Sequence, residues 1–303
     1  MTISENPIWA YDPKRKGDTM SEPQMKKVRG DGIQIQMAQW GEAGKPILCL
    51  HGITANCRCW DNIAIALASH CRVMAVDLRG RGGSDKPPTG YSIDHHCQDI
   101  LAILDALGLQ QVVLMGHSLG AFISLIFTAR YPQRVDRLIL VDGGGKLSEA
   151  QRAKVFAGIK PALDRLGQVF PSSEAYVNKM KEAPYLQPWN DFQEKYVRYE
   201  MEEAAGGVRT NIDPKPIEEE SLNFARVDPS LFYGQIPCPT LIVRATQGLL
   251  AEDDILLPEE VIQKMVKEIT GAKRLDLPGT NHYSILFQPN TTRDEALLEF
   301  LND

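Results

Sequence analysis

Hydrophobic residues follow two different patterns along the chain, and together these patterns predict how the sheet is arranged. In VRGDGIQIQMAQWG, which begins at Val28, apolar residues alternate with glutamines after a Gly-Asp-Gly turn. Such alternation predicts an antiparallel pair of strands at a sheet edge. Later runs are apolar without alternation; these are ILCL (47–50), VMAV (73–76), VVLM (112–115), LILV (138–141) and TLIV (240–243). Strands buried on both faces by helices have this pattern, which predicts an α/β fold with a mostly parallel central sheet.

Helical patterns separate these runs. The segment SIDHHCQDILAILDALG begins at a capping residue, Ser92, carries Ile100, Ile103 and Leu104 on one stripe, and ends at Gly108. The segment LGAFISLIFTARYP is apolar nearly all round, as expected of a helix packed centrally on the sheet. A last strand is predicted at KRLDL and a last helix at TRDEALLEFL.

The alternation of strands and helices stops between residues 146 and 234. This stretch is charged and helix-like, contains scattered aromatic residues, and predicts no buried strand. We therefore divide the chain of 303 residues into three parts. Residues 1–25 are predicted to be a flexible N-terminal extension. Residues 26–145 and 235–303 form the α/β core, and residues 146–234 form a helical lid inserted between two strands of the sheet.

Composition and charge indicate which kinds of partner the chain is expected to bind. The formal charge of -6 at pH 7 and the lack of a dense basic block argue against nucleic-acid binding. No stretch approaches the roughly 18 consecutive apolar residues of a membrane span. The N-terminal sequence has no apolar run of signal-peptide length, so we expect a cytoplasmic protein that acts on a small molecule, without a nucleic-acid or membrane partner. The sequence leaves the oligomeric state open.

The 6 cysteines form no C-x-x-C pair, which argues against a structural zinc site. Without an export signal, we expect reduced thiols that are mostly buried.

The most informative segment for chemistry is VVLMGHSLGA, which places Ser118 between a buried strand and an apolar helix. A G-x-S-x-G pattern in this context predicts a sharp strand-to-helix turn that projects the serine hydroxyl above the sheet. Glycines flank the serine because the turn leaves no room for side chains two residues away on either side. Ser118 is therefore the predicted nucleophile, and the N–H of Leu119 is a predicted oxyanion donor.

Together with this motif, the stretches LHGIT (50–54), DLRGRGGSD (77–85) and PGTNHYS (278–284) make the chain resemble the α/β-hydrolase superfamily from Val28 onwards. The resemblance is to the broad group of lipase-like esterases, lactonases and carbon–carbon hydrolases. It implies the α/β-hydrolase fold, His282 as the general base, and Ile53 as the second oxyanion donor. It also implies that Asp77 and Arg79 bridge loops near the site.

The acid of the triad is open from sequence. In the family it usually follows the strand written here as TLIVRA, in a turn with an Asp four residues before a Pro. Asp254 has this spacing to Pro258, although TQGLLAE is inserted before the acidic cluster. We therefore expect Asp254, with Asp253 and Asp142 as alternatives. Asp142 ends LILVD, and some relatives supply the acid from that preceding strand.

These residues predict two-step acyl transfer without a metal or organic cofactor. A serine nucleophile sets the chain apart from haloalkane dehalogenases and epoxide hydrolases, which use an aspartate. HGITANC lacks the Gly-rich turn that is usual in carbon–carbon hydrolases. We therefore expect an ester or lactone substrate, apolar or aromatic to match the lid's aromatic residues. A carbon–carbon hydrolase, an acyltransferase and a ligand receptor with slow or no turnover remain alternatives.

Overall fold

The computed structural model describes residues 22–303, so most of the predicted N-terminal extension lies outside the described residues. The first strand begins at Gln24, two residues before the predicted start of the core. The strands within this range are β1 (Gln24–Arg29), β2 (Gln34–Trp40), β3 (Lys45–Leu50), β4 (Cys71–Val76), β5 (Val112–His117), β6 (Val135–Val141), β7 (Met201–Ala204), β8 (Gly207–Thr210), β9 (Thr240–Ala245) and β10 (Ala272–Leu277). The main sheet contains 8 of them, in the spatial order β1-β2-β4-β3-β5-β6-β9-β10, and β7 and β8 form a separate pair.

Pairing in the sheet follows the two hydrophobic patterns. Strand β2 pairs antiparallel with β1 and with β4, at the edge where the sequence alternates. The neighbours from β4 through β3, β5, β6 and β9 to β10 are all parallel. Every residue of β5 and of β9 is buried, as expected for strands covered on both faces. The predicted mostly parallel sheet is therefore confirmed.

Helices cover both faces of the sheet and create two apolar cores. The helices are α1 (Asp61–Leu67), α2 (Ile93–Ala106), α3 (Leu119–Arg130), α4 (Glu149–Asp164), α5 (Ser173–Lys181), α6 (Asp191–Tyr199), α7 (Pro214–Ala225), α8 (Glu259–Glu268), α9 (Ser284–Phe287) and α10 (Thr291–Asn302). Helices α2, α3 and α8 pack on one face, and α1 and α10 on the other. In the described range, no helix has the length and apolar character to cross a membrane.

The segment between β6 and β9, residues 146–234, contains α4 to α7, and we call it the cap. It also contains the antiparallel hairpin β7–β8, which the helical interpretation of the sequence missed. The hairpin is short, and its first strand is not buried, so it leaves no run of hydrophobic residues to detect. Tyr176, Val177 and Val197 of the cap join the apolar core on the α1 side of the sheet. The cap is therefore packed against the α/β core.

Candidate active site

The site is built around the turn between β5 and α3. Ser118 has φ 54° and ψ −116°, a strained conformation for a residue with a side chain. A Cβ at Gly116 would overlap the carbonyl oxygen of Gly120, and a Cβ at Gly120 would overlap that of Leu50. The two glycines are therefore required sterically, and the turn has the geometry expected of a nucleophile elbow.

His282 and Asp142 meet beside this turn. The loop after β10 carries His282, whose Nδ1 lies 2.8 Å from Oδ2 of Asp142. Asp142 directly follows β6, and its other carboxylate oxygen accepts a hydrogen bond from the N–H of Ala245 at 3.1 Å. Both side chains of the His–Asp pair are buried. A buried carboxylate in this position fixes the imidazole with the proton on Nδ1, which leaves Nε2 free to accept a proton.

The expectation that Asp254 accompanies His282 has to be corrected. Its carboxylate accepts hydrogen bonds from the N–H groups of Leu249, Leu250 and Ala251, at 2.9 and 3.1 Å for the last two. The loop inserted after β9 thus folds back on Asp254, and its N–H groups donate hydrogen bonds to both carboxylate oxygens. The alternative Asp253 is also elsewhere, because its side chain is 66% exposed and pairs with Lys154 of α4.

Asp142, the other alternative, is the carboxylate that reaches His282. The sequence carried a signal for it: like the nucleophile, Asp142 directly follows a buried parallel strand. Strands β5 and β6 are neighbours in the sheet, and the N–H of Ser118 donates to the carbonyl of Val141 at 3.2 Å. The carboxyl ends of neighbouring parallel strands lie at one edge, so the two residues are held side by side.

The predicted oxyanion donors flank the serine. Leu119 begins α3 immediately after Ser118. Ile53 follows Gly52, where an added Cβ would lie 3.3 Å from Cβ of Ser118, so this loop borders the nucleophile. Within residues 22–303, the N–H groups of Ile53 and Leu119 donate to no other group of the chain, which leaves both free for a ligand. Their role as oxyanion donors remains a prediction.

Two further histidines hold the surrounding backbone. Nε2 of His117 lies 2.9 Å from the carbonyl oxygen of His282 and must be the protonated nitrogen that donates to it. Nε2 of His51 accepts from the N–H of Leu78 at 3.0 Å, so its Nδ1 carries the proton and donates to the carbonyl of Gly52 at 2.7 Å. Burial lowers the pKa of His51 to about 3. Burial, together with the adjacent His282, also lowers the pKa of His117, so both rings are neutral at neutral pH.

Asp77 and Arg79 connect loops, as the resemblance implies. Asp77 accepts from the N–H of Cys57 at 2.7 Å and from the N–H of Gly83 at 2.8 Å. It also accepts from the hydroxyl of Tyr199 in the cap at 2.6 Å. Arg79 forms a buried ion pair with Asp99 at 2.7 Å. These contacts position the loops and place neither side chain on the nucleophile.

A cavity of about 70 Å³ lies over the serine. Its wall is apolar and aromatic apart from Thr54, Cys59, Ser118 and the two ring systems of His117 and His282. The lining residues are Gly52, Ile53, Thr54, Ala55, Cys59, His117, Ser118, Val155, Ile159, Tyr196, Leu256, His282, Tyr283, Leu286 and Phe287. No Lys, Arg, Asp or Glu from the described part of the chain belongs to this lining. Val155, Ile159 and Tyr196 come from the cap, so the cap roofs the cavity.

No group of three or more His, Cys, Asp or Glu side chains in residues 22–303 is placed to hold a metal ion. All the cysteines are free and buried, as predicted. Burial raises the pKa of Cys59 well above its ordinary value, so this lining residue is a neutral thiol.

Sequence motifs did not point to the charged residues of the cap that approach the site. Arg165, at the end of α4, reaches the carbonyl of Thr54 at 3.2 Å, and Glu220 of α7 pairs with Arg81. These residues lie in no recognisable motif, and their partners are distant in sequence. Of the cap's aromatic residues, Tyr196 lines the cavity, whereas Tyr176 and Tyr185 are buried in packing.

Comparisons with known proteins agree with the fold. A model of the alpha/beta hydrolase fold family matches residues 45–289, which is most of the chain. The chain is 26% identical over 271 residues to 2-(acetamidomethylene)succinate hydrolase of Mesorhizobium japonicum, covering 86% of this chain and 89% of that protein. A crystal structure of E-2-(acetamidomethylene)succinate hydrolase superimposes with a TM-score of 0.82 at 24% identity, over 93% of this chain and 100% of that one.

Two other similarities differ in their extent. A bifunctional esterase/perhydrolase of Acinetobacter calcoaceticus is 26% identical over 261 residues, which are 83% of this chain and 90% of that protein. An uncharacterised protein of Mycobacterium tuberculosis is 41% identical, but over 122 residues only. That match covers 40% of this chain and 35% of the mycobacterial protein, so the chain spans about a third of the length of this relative.

Proposed function

We propose that this chain, which belongs to the α/β-hydrolase family, hydrolyses a carboxylic ester or lactone of a small, uncharged and apolar compound through an acyl-enzyme on Ser118. The observation that carries the proposal is the strained Ser118 beside the buried pair of His282 and Asp142, at the base of an apolar cavity. Such a constellation is recognised by its geometry and the roles of its groups rather than by sequence position.

In the first half-reaction, Oγ of Ser118 attacks the substrate carbonyl as Nε2 of His282 takes its proton. The N–H groups of Ile53 and Leu119 stabilise the tetrahedral oxyanion, and the Asp142 carboxylate stabilises the imidazolium. His282 then gives the proton to the leaving alkoxide, and an acyl ester on Ser118 remains. In the second half-reaction, water loses a proton to His282 and attacks this ester, and Ser118 is reprotonated as the acid leaves.

The cavity lining supports the uncharged, apolar substrate class. An unpaired carboxylate buried in such a lining would lose its hydration without gaining a counter-ion, which costs several kcal/mol. The esterase named among the relatives is consistent with this substrate class. The succinate of the other relative's name carries carboxylates, and the described lining offers no Lys or Arg to receive one.

The size of the cavity adds a requirement for motion. About 70 Å³ is well below the roughly 300–1,000 Å³ of typical small-molecule sites. We therefore expect the cap, which supplies Val155, Ile159 and Tyr196, to move away from the core when substrate enters.

The proposal is tested by exposing the full chain to a fluorophosphonate and measuring its intact mass. We expect one adduct on the wild type and none on Ser118→Ala or His282→Ala. Ser124→Ala is the matched control, because Ser124 carries a buried hydroxyl in α3, the helix that follows Ser118, and this hydroxyl has no hydrogen-bond partner among the described residues. It should be labelled like the wild type. A panel of p-nitrophenyl esters and lactones would then define the substrate.

Three outcomes would contradict the proposal in different ways. A folded wild type without an adduct, and without turnover on the panel, would favour a ligand receptor. Release of products bearing an added alcohol or thiol in place of water would indicate an acyltransferase. Labelling of Ser118 without hydrolysis of any ester or lactone, combined with cleavage of a diketone, would indicate a carbon–carbon hydrolase.

A further inference from the structure

The loop that carries Ile53 has three consecutive peptide carbonyls held by side chains. The carbonyl of Gly52 accepts from Nδ1 of His51 at 2.7 Å and from the N–H of Ala55 at 3.2 Å. The carbonyl of Ile53 accepts from Nε of Arg81 at 3.1 Å. The carbonyl of Thr54 accepts from Nη2 of Arg165 at 3.2 Å, and the hydroxyl of Tyr196 lies 3.3 Å from it.

This pattern determines where the N–H of Ile53 points. A trans peptide is planar, so the N–H of Ile53 is directed opposite to the carbonyl of Gly52. Gly52 has no side chain to restrict its own rotation, and the loop therefore depends on its hydrogen bonds for orientation. His51 belongs to the α/β core and holds the carbonyl of the first peptide plane, and the two arginines hold the carbonyls of the next two planes. Because the three planes are consecutive, the place at which the first plane presents its N–H depends on all three.

Both arginines depend on the cap. Nη2 of Arg81 pairs with Glu220 of α7, and neither side chain is exposed. Glu220 also accepts from Nε2 of His96 at 2.6 Å. Arg165 belongs to the cap itself, and its Nη2 pairs with the buried Glu200 at 2.7 Å. The hydrogen bonds to Ile53 and Thr54 thus come from one ion pair across the cap–core interface and one ion pair inside the cap.

The charges of these groups keep the arrangement together. Burial by itself raises the pKa of Glu220, but Arg81 and His96 outweigh it and lower the pKa below its ordinary value. Burial likewise opposes the charge of Arg165, and Glu200 outweighs it and raises the pKa well above its ordinary value. Breaking either ion pair would therefore leave a buried charge without its partner.

We propose that Arg81–Glu220 and Arg165–Glu200 are positioning pairs that complete the placement of the Ile53 oxyanion donor while the cap is closed, by holding the two peptides that follow the one held by His51. This proposal rests on the proposed function, because it assigns a role to the same site. When the cap moves to admit substrate, Arg165 leaves Thr54 and Arg81 loses Glu220. The oxyanion hole is then complete only after the cap returns and excludes water.

The test compares Glu220→Gln and Arg165→Lys with a matched control. Lysine keeps a charge for Glu200, but it lacks the planar fork that reaches Glu200 and Thr54 together. The control is Tyr199→Phe, which removes a hydrogen bond between cap and core, to Asp77, that does not touch residues 52–55. Hydrogen exchange of peptides covering residues 52–56 is measured in the full chain, and this readout requires no turnover.

Kinetics give the second readout. We measure kcat and KM for a p-nitrophenyl ester and the inhibition constant of a matched trifluoromethyl ketone, whose adduct on Ser118 places an oxyanion in the hole. Loss of a complete oxyanion donor costs about 10²–10³ in rate, so a misplaced donor should lower kcat about 10- to 100-fold. The ketone should weaken by the same factor, whereas KM should change less than about threefold.

Faster exchange at residues 52–56 and a parallel loss of kcat and ketone affinity in both variants, but not in Tyr199→Phe, would support the proposal. Unchanged exchange in both variants, or a kcat loss equal to that of Tyr199→Phe, would overturn it. If one variant does not fold, the other decides the result, since each breaks a different pair. A wild type without turnover would refute the proposed function alone, because the exchange readout would still decide the positioning role.

Discussion

Replacing Asp142 by Asn tests the triad at its least predictable member. One carboxylate oxygen of Asp142 faces Nδ1 of His282 and the other faces the N–H of Ala245. An amide has one acceptor and one donor end. If its oxygen stays on the N–H of Ala245, its NH₂ group faces Nδ1 of His282 and forces the proton onto Nε2. The ring can then no longer accept the proton of Ser118.

The opposite orientation of the amide is worse for the fold. It would bring the NH₂ group against the N–H of Ala245, two donors in a site where Asp142 is only 1% exposed. The wrong tautomer is therefore the favoured state of Asp142→Asn. The same substitution in a serine protease triad lowers kcat about 10⁴-fold, which corresponds to about 5.4 kcal/mol of transition-state stabilisation.

Asp254→Asn is the matched comparison, because Asp254 is equally buried but serves its own loop. One oxygen remains to accept from the backbone, while the new NH₂ group faces N–H donors. We expect a loss of about 1–3 kcal/mol in the free energy of unfolding and a kcat within about threefold of the wild type. Initial rates on a p-nitrophenyl ester, normalised to folded protein by circular dichroism, measure both variants. A kcat within tenfold of wild type for Asp142→Asn, or equal losses in the two, would refute the reasoning.

Three further predictions follow from the same contacts. Gly120→Ala should destabilise the fold by about 3 kcal/mol or more and abolish labelling of Ser118, because the added methyl group meets the backbone of Leu50. The control Gly234→Ala has open space around it and should unfold at the same urea concentration as the wild type. His51 binds a proton in the unfolded chain below about pH 6.5 but not in the fold until about pH 3, so stability should fall with decreasing pH, by about 1.3 kcal/mol from this residue between pH 7 and 5.5. Urea unfolding at both pH values should show that the free energy of unfolding falls less in His51→Gln than in the wild type or in the exposed control His70→Gln. An equal fall in all three proteins would contradict the assignment of this pH dependence to His51. Finally, kcat/KM should be at least about 100-fold lower for a p-nitrophenyl ester whose acyl chain ends in a carboxylate than for the neutral ester of equal length, and equal values would exclude the apolar cavity as the acyl site.

The sequence predicts features that depend on local contacts. Non-alternating runs predicted the parallel strands, and the capping residue Ser92 and the closing Gly108 predicted the bounds of α2. The nucleophile turn was predictable because its steric demand falls on two glycines close to Ser118 in the chain. In each case the residues that determine the structure are neighbours in sequence.

Features that depend on distant contacts were not predictable. Arg81 and Glu220 are 139 residues apart, and either could equally be a solvated surface charge when considered alone. The Asp-x-x-x-Pro spacing around Asp254 describes a turn but not the direction of its carboxylate. That direction depends on how the inserted residues 246–252 fold, and they fold so that three N–H groups meet the carboxylate.

The position of the acid also explains how the loop after β9 can help to form the cavity. Since Asp142 already accompanies His282, the loop carries no side chain that the triad requires. Its backbone is instead tied to the cap, where Gln151 of α4 donates to the carbonyls of Asp253 and Ile255 at 3.0 and 2.8 Å. The next residue, Leu256, lines the cavity together with residues of α4. The bracing of this loop by Asp254 therefore shapes the cavity over Ser118, whereas a loop that supplied the acid would have to keep that carboxylate at His282.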